Sequence, residues 1–176
     1  NAGITEVANA LVGVNPVTHK IEIKDANGAI VAEIEASTVW PTRGYISDEF
    51  GSRDLIRKLL GLGAHTGIDI ANERGEPGSP VTPFMKGKVI KVVHDTDNSG
   101  YGNYVIVDHG YSLTSVYGHL SEIRATKDQD VKPGDVIGLM GSTGTSTGVH
   151  LHFEVRVSSI PTNPRTFMVG VPERSP

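Results

Sequence analysis

The sequence predicts a mostly β protein that is built on an antiparallel β-sheet and has little helix. Among its 176 residues are 21 glycines and 10 prolines, a composition typical of a chain with many turns. Short runs rich in valine and isoleucine recur between those turn signals. No long segment shows the apolar spacing of an amphipathic helix. A chain of this length suits one domain with a sizeable core and a small appendage.

We interpret residues 1–40 as an N-terminal β-hairpin extension. Polar and apolar residues alternate over residues 20–24 and 30–34, and Asn27-Gly28 between them is a tight-turn signal. Pro41 marks a boundary, which makes residues 41–170 the main domain and residues 171–176 a C-terminal tail. The extension carries no chemical motif, so we expect it to pack on the main domain or to lead into it.

Short β-like runs also make up the main domain, at residues 88–93, 104–107, 113–117, 136–140 and 151–157. Turn signals separate these runs, at residues 98–100, 109–110, 133–134 and 142–148. Short strands joined by tight turns pair with their sequence neighbours, so the pattern predicts a mostly antiparallel sheet.

Composition excludes several classes of partner and site. The net charge of -4 comes from 16 basic and 20 acidic residues with no basic cluster, which argues against nucleic acid or an anionic membrane as the main partner. The absence of cysteine excludes disulfides and thiolate ligands, so a metal would be held by nitrogen and oxygen. The sequence starts at Asn1 and shows no signal peptide, and we expect a signal or anchor to be missing from it.

Two histidines near the end of the chain point to a metal site. His150 and His152 are two residues apart in a predicted strand, so both imidazoles lie on one face of it. Glu154 and Arg156 share that face, whereas the apolar residues between them line the opposite, core-facing side. Two histidines on one strand face can share a metal ion.

Further candidate ligands lie earlier in the chain, in the segment from His65 to Asp69. A catalytic zinc takes three such ligands and leaves one position open for water. His65 and Asp69 would be about 13 Å apart along a straight strand, so the chain must bend, and Gly63 and Gly67 allow it. The third ligand is then His150 or His152, a choice that spacing alone leaves open.

His119 and the remaining histidine would lie beside the metal without binding it. There they could take a proton from water or stabilise an oxyanion, which suits the hydrolysis of an amide. Zinc would polarise the amide carbonyl and activate the attacking water.

In these motifs the chain resembles the lysostaphin-like (LytM-type) zinc metalloendopeptidases, which cleave peptides of peptidoglycan. The resemblance covers about residues 44–167. It rests on ordered motifs at residues 50–53, 65–69, 102–110, 117–121, 134–135, 141–144 and 150–154.

The resemblance implies roles that spacing did not assign. It makes His65, Asp69 and His152 the zinc ligands and His119 and His150 the catalytic pair. It also implies a lysostaphin-like fold of the duplicated-hybrid-motif type, with a groove over the sheet that holds an extended peptide. Zn²⁺ is the only cofactor expected. The substrate would be the peptides of bacterial peptidoglycan, the location extracytoplasmic, and protein regulators in the cell envelope would be possible partners.

Several neighbours of these residues have two open interpretations. Arg53 and Tyr117 are predicted to bind substrate or to brace the site. Thr145 is predicted to bind substrate as part of a hydroxyl-rich run, residues 143–147, which either lines the groove or forms a solvated turn. Glu154 either orients a histidine as a hydrogen-bond acceptor or forms a surface ion pair with Arg156.

Two alternatives to a working peptidase stay open. Some members of the family are non-catalytic scaffolds or hydrolase activators, although these usually lose ligands that are present here. A latent enzyme is the other alternative, in which residues 1–40 block the groove and His19 or Asn15 reaches the metal.

Overall fold

A computed structural model of the protein describes residues 5–7, 10–15, 17–18, 20–34, 38–53, 58–59, 61 and 63–175. These ranges are mainly antiparallel β-strand, which confirms the predicted fold class. A short 3-10 helix spans Pro164–Phe167. Among the residues so described, no helix is long and apolar enough to cross a membrane.

The N-terminal region forms a four-stranded antiparallel sheet. Its strands follow one another in chain order, β1 (Thr5–Val7), β2 (Ala10–Val14), β3 (Ile21–Lys24) and β4 (Ile30–Ile34). β3 and β4 coincide with the two alternating segments of the predicted hairpin, and Gly28 in the turn has a φ of 84°. The extension is therefore a wider sheet than the hairpin that the sequence predicted.

The N-terminal sheet shares the apolar core of the main domain. Ile21, Ile23 and Ile34 are buried in one cluster with Phe153 of the large sheet and Phe167 of the 3-10 helix. Phe153 lies on the face of its strand opposite to His150 and His152, so these isoleucines pack on the side away from the histidines.

The described part of the extension therefore gives no support to a segment that blocks the groove. The side-chain oxygen of Asn15 accepts hydrogen bonds from the backbone of Val17 and Thr18 within its own turn. His19, the other residue of that hypothesis, lies outside the described residues.

The main sheet has ten strands, all antiparallel to their partners. They are β5 (Tyr45–Asp48), β6 (Ile68–Ala71), β7 (Pro80–Val81), β8 (Gly87–Val93), β9 (Asn103–Gly110), β10 (Leu113–Ile123), β11 (Asp130–Val131), β12 (Gly138–Met140), β13 (Leu151–Val157) and β14 (Ile160–Thr162). The central order is β11-β8-β9-β10-β13-β6-β5, while β12 pairs with β10 and β7, and β14 pairs with β13.

The register of three neighbouring strands positions the candidate site. His152 on β13 lies directly opposite Asp69 on β6 and opposite Gly118 on β10. Leu151, Phe153 and the apolar residues that follow point to the other face and are fully buried in the core. The apolar residues thus fix which face of β13 carries the histidines.

Candidate metal centre

Three side chains bring one ligand atom each to a common point. Nε2 of His65 lies 2.9 Å from Oδ1 of Asp69, and Nδ1 of His152 lies 3.1 Å from the same oxygen. The two imidazole nitrogens are 3.1 Å apart. These three residues form a group that could hold a metal ion.

The chain bends before β6, as the sequence required, and this brings His65 back to Asp69. His65 lies in the loop, and the buried Ile68 and Ile70 anchor the strand. Gly67 matters for its lack of a side chain, because a Cβ there would lie 2.4 Å from the carbonyl oxygen of Phe153. The segment can therefore pass close to β13 only with glycine at this position.

Hydrogen bonds on the far side of each ring determine which nitrogen carries the proton. Nδ1 of His65 lies 3.0 Å from the carbonyl oxygen of Glu49, and Nε2 of His152 lies 3.0 Å from Oε1 of Glu154. Each of these nitrogens donates, since its partner can only accept. In the neutral rings the nitrogens that face Asp69 therefore carry no hydrogen, and three lone-pair donors face one another.

The charges around this point favour a cation. Burial opposes ionisation of Asp69, but the adjacent rings of His152 and His65 outweigh it and hold the pKa of Asp69 well below its usual range. Burial also opposes a charge on His152, but Asp69 and Glu154 outweigh it and raise the pKa of that ring. Two imidazole nitrogens and one carboxylate oxygen, about 3 Å apart, fit the donor set and spacing of a zinc ion.

His119 and His150 lie beside this point. Their ring centroids are 4.7 Å apart, and the ring of His119 is 6.0 Å from that of His152. Nδ1 of His119 donates to the carbonyl oxygen of Thr143 at 2.7 Å, which leaves Nε2 as an acceptor. Burial and the neighbouring His150 lower the pKa of His119 to about 4, so the ring is neutral at pH 7.

The ring of His150 is oriented in a similar way, and it is more exposed to solvent than that of His119. Its Nδ1 donates to the carbonyl oxygen of Gly148 at 2.9 Å, and its Nε2 lies 3.5 Å from Oδ2 of Asp69. The structure thus brings together all five residues that the sequence proposed for metal binding and proton transfer.

A β-bulge in β10 turns His119 towards the metal-binding face. The register of β10 against β9 shifts between Tyr117 and Leu120. His119 itself has a φ of 60°, in the left-handed region that non-glycine residues rarely adopt. Its backbone N–H donates to the carbonyl oxygen of Tyr101 at 2.7 Å, which holds the bulge in place. Without the bulge, alternation would direct His119 into the core beside Tyr117.

Two loops are joined next to His119. Gly144 donates from its backbone to the side chain of Asn98 at 2.8 Å, and Thr145 donates to the carbonyl oxygen of Gly100 at 2.9 Å. The hydroxyl of Thr145 accepts the N–H of Gly100 in return, at 3.1 Å. These bonds fix the two loops to each other beside the histidines. They also hold in place the segment whose carbonyl group orients His119.

The three predicted substrate contacts have different environments. Arg53 and Thr145 are exposed, and their contact with substrate stays a prediction. The structure corrects the prediction that Tyr117 contacts the substrate, because its side chain is fully buried and stacks on Phe153 with ring centroids 5.7 Å apart. Its hydroxyl accepts the N–H of Phe84 in the core, so it does not face the groove.

The most important neighbour of the ligands is Glu154, for which the sequence left two interpretations open. Its side chain is fully buried, so it forms no surface ion pair. It accepts the ring N–H of His152 and also pairs with Arg156. Tyr101 and Thr66 donate to the same carboxylate, at 2.7 and 2.6 Å, and sequence reasoning missed both.

Comparison with known proteins agrees with this arrangement. The model of Peptidase family M23 matches residues 63–164, more than half of the chain and all five residues of the site. The DD-carboxypeptidase/endopeptidase Mpg of Neisseria meningitidis is 38% identical over 152 residues, which are 85% of this chain and 33% of that protein. The murein hydrolase activator NlpD of Escherichia coli is 34% identical over 129 residues, 73% of this chain and 30% of that protein. The chain thus spans about a third of the length of these curated relatives.

Solved structures show the same fold. A zinc-containing peptidase from Vibrio cholerae superposes with a TM-score of 0.63 at 28% identity and covers 96% of this chain and 50% of that one. Lysostaphin from Staphylococcus simulans superposes with a TM-score of 0.58 at 29% identity, covering 70% and 48%. The resemblance to lysostaphin-like enzymes that the motifs indicated is confirmed. The chain belongs to peptidase family M23.

Proposed function

We propose that the protein is a zinc-dependent endopeptidase that hydrolyses peptide cross-links or stem peptides of bacterial peptidoglycan. One observation carries this proposal. The ring nitrogens of His65 and His152 that face Asp69 converge with its carboxylate, and two further histidines, His119 and His150, lie directly beside them.

In this proposal His65, Asp69 and His152 hold zinc. When bound, zinc would polarise the scissile carbonyl and activate the attacking water. The chain's own contribution is to keep both ligand rings in the required tautomer, through the carbonyl of Glu49 and the carboxylate of Glu154.

His119 is the proposed general base. It is neutral, and its Nδ1–H is bound to Thr143, so Nε2 can accept a proton from the attacking water and later return it to the leaving amine. His150 is its proposed partner, since its ring lies against that of His119 and its Nδ1–H is likewise bound to a carbonyl, that of Gly148. Its Nε2 is then directed at the reacting centre.

Relatives support peptidoglycan as the substrate. The name of Mpg describes carboxypeptidase and endopeptidase activity, and that of NlpD an activator of murein hydrolases. Peptidoglycan lies outside the cytoplasm, so the proposal includes an extracytoplasmic location. Protein regulators of the cell envelope belong to the same proposal.

The similarity to NlpD supports a second candidate function, an activator of other murein hydrolases that does not itself cleave peptide bonds. The complete set of five polar residues favours the peptidase, because an activator has no need of a neutral histidine oriented by Thr143.

The test compares the wild type, His150→Ala and His94→Ala, the last being an exposed histidine without an assigned role. We expect one zinc per chain in all three, and release of soluble fragments from purified peptidoglycan by all except His150→Ala. Zinc without any release by the wild type would support the activator, and amidase stimulation would then be measured.

A further inference from the structure

The carboxylate of Glu154 receives an unusual number of donors for a buried group. Its Oε1 accepts from His152 Nε2 at 3.0 Å, Thr66 Oγ1 at 2.6 Å and Tyr101 OH at 2.7 Å. Its Oε2 accepts from the guanidinium of Arg156. Donors from four different residues thus converge on one carboxylate directly behind the ring of His152.

Tyr101 contacts this cluster in two further ways. Its ring stacks on that of His152, with centroids 5.2 Å apart and planes inclined by 27°. Arg156 Nη2 lies 3.1 Å from the hydroxyl of Tyr101 and donates to it, so the hydroxyl's own proton points to Glu154. The side chain thus restrains both the plane of the His152 ring and the acceptor that orients it.

The backbone of Tyr101 reaches the second half of the site. Its carbonyl oxygen accepts the N–H of His119, at the strained bulge that directs this histidine to the metal-binding face. Tyr101 is therefore in contact with a metal-ligand ring through its side chain and with the proposed base through its main chain.

We propose that Tyr101 is a positioning residue that sets the orientation of His152 towards the metal. This inference rests on the proposed function for the identity of the ligand and base. Tyr101 acts through His152, Glu154 and His119 and does not touch the reacting atoms, since its hydroxyl is occupied on the far side of the His152 ring.

Tyr101→Phe tests the proposal, and Tyr104→Phe is the matched control. Tyr104 lies in edge-to-face contact with Tyr101, at a centroid distance of 5.4 Å, and has no part in the site. Zinc affinity is measured on the whole chain by competition with a chelator. We expect Tyr101→Phe to bind zinc about 10-fold more weakly and to lose kcat with little change in KM, because partners of metal ligands contribute about 10–100-fold. Tyr104→Phe should match the wild type.

Tyr101→Phe with wild-type zinc affinity and kcat would overturn the proposal. If the variant folds poorly, ¹⁵N chemical shifts of the His152 ring decide instead, in zinc-loaded samples of the folded fraction. A changed shift pattern supports the proposal and an unchanged one overturns it. If the wild type binds zinc but cleaves no peptidoglycan peptide, the proposed peptidase function is wrong. The comparison of zinc affinities between the variants still tests the role of Tyr101 in that case.

Discussion

Two buried clusters of histidine and hydroxyl or carboxyl groups lie in the same sheet, and they differ in how their hydrogen bonds run. At the candidate metal centre, His65, Asp69 and His152 direct three acceptor atoms at one point. On the core side, His109 belongs to a chain of bonds in which each acceptor faces a donor.

The second cluster is complete without any ion. Nδ1 of His109 donates to the carbonyl of Lys86 at 2.8 Å, so Nε2 accepts from Ser115 at 2.7 Å. The hydroxyl of Ser115 in turn accepts from that of Tyr117 at 2.6 Å, and the hydroxyl of Tyr117 accepts from the backbone of Phe84 at 3.0 Å. Every polar side-chain atom of this second cluster therefore has a hydrogen-bond partner.

The comparison shows that residue type alone does not identify a metal site. Both clusters combine histidine with polar partners, and both include fully buried side chains. The count of donors and acceptors separates them, because convergent lone pairs repel one another unless a cation or a proton lies between them.

Asp69→Ala should have the largest effect. Removing this carboxylate takes away one of the three proposed ligands, so we expect loss of bound zinc and a fall in kcat/KM of more than about 100-fold, since even outer partners of a metal contribute 10–100-fold. Zinc content and peptide hydrolysis measure both effects. Asp108→Ala is the control, because this aspartate accepts the N–H of Gly110 and lies outside the candidate metal centre. Full zinc content in Asp69→Ala would contradict the assignment of the metal centre.

His119→Ala should separate proton transfer from metal binding. Its ring is a neighbour of the ligands rather than one of them, so zinc content should stay at the wild-type level. We expect kcat to fall by about 100- to 10,000-fold, the usual contribution of a general base. His109→Gln, at the histidine of the second cluster, should keep kcat. If His119→Ala lost zinc as well, His119 would be a ligand and the proposed division of roles would be wrong.

Periodicity along the sequence predicted most of this architecture. The alternation in β13 placed His150 and His152 on one face, because Leu151, Phe153 and their successors can only be buried on the other. The bend between His65 and Asp69 also followed from distance alone. What periodicity could not supply was the conformation of single residues.

Tyr117 illustrates that limit. It lies two residues before His119, so regular alternation would place both side chains on one face. The left-handed backbone at His119 breaks the alternation, so His119 turns to the metal-binding face while Tyr117 stays in the core. Gly118 between them is the one local signal of a bulge, and it does not say which neighbour leaves the core. The partners of Glu154 were likewise hidden, because Thr66 and Tyr101 are 88 and 53 residues away in sequence and meet it only in the folded chain.

The second cluster, around His109, should affect how the free energy of unfolding depends on pH. Burial lowers the pKa of His109 from its ordinary 6.5 to about 4. Between these values the unfolded chain binds more protons than the folded one, so stability falls as pH drops from 6.5 to 4. We expect this half-buried ring to account for about 2 kcal/mol. Urea unfolding at several pH values should give a flatter profile for His109→Gln, and identical profiles would contradict this role.

Tyr117→Phe should have the smallest effect and the sharpest contrast with Tyr101→Phe. Both variants lose a tyrosine hydroxyl, but the two hydroxyls belong to different clusters. In Tyr117→Phe the buried N–H of Phe84 loses its acceptor, which should lower the free energy of unfolding by about 1–2 kcal/mol. Zinc affinity and kcat/KM should stay unchanged, because Tyr117 faces the core rather than the groove. A rise in KM would instead indicate that Tyr117 contacts the substrate, because substrate binding would then depend on its hydroxyl.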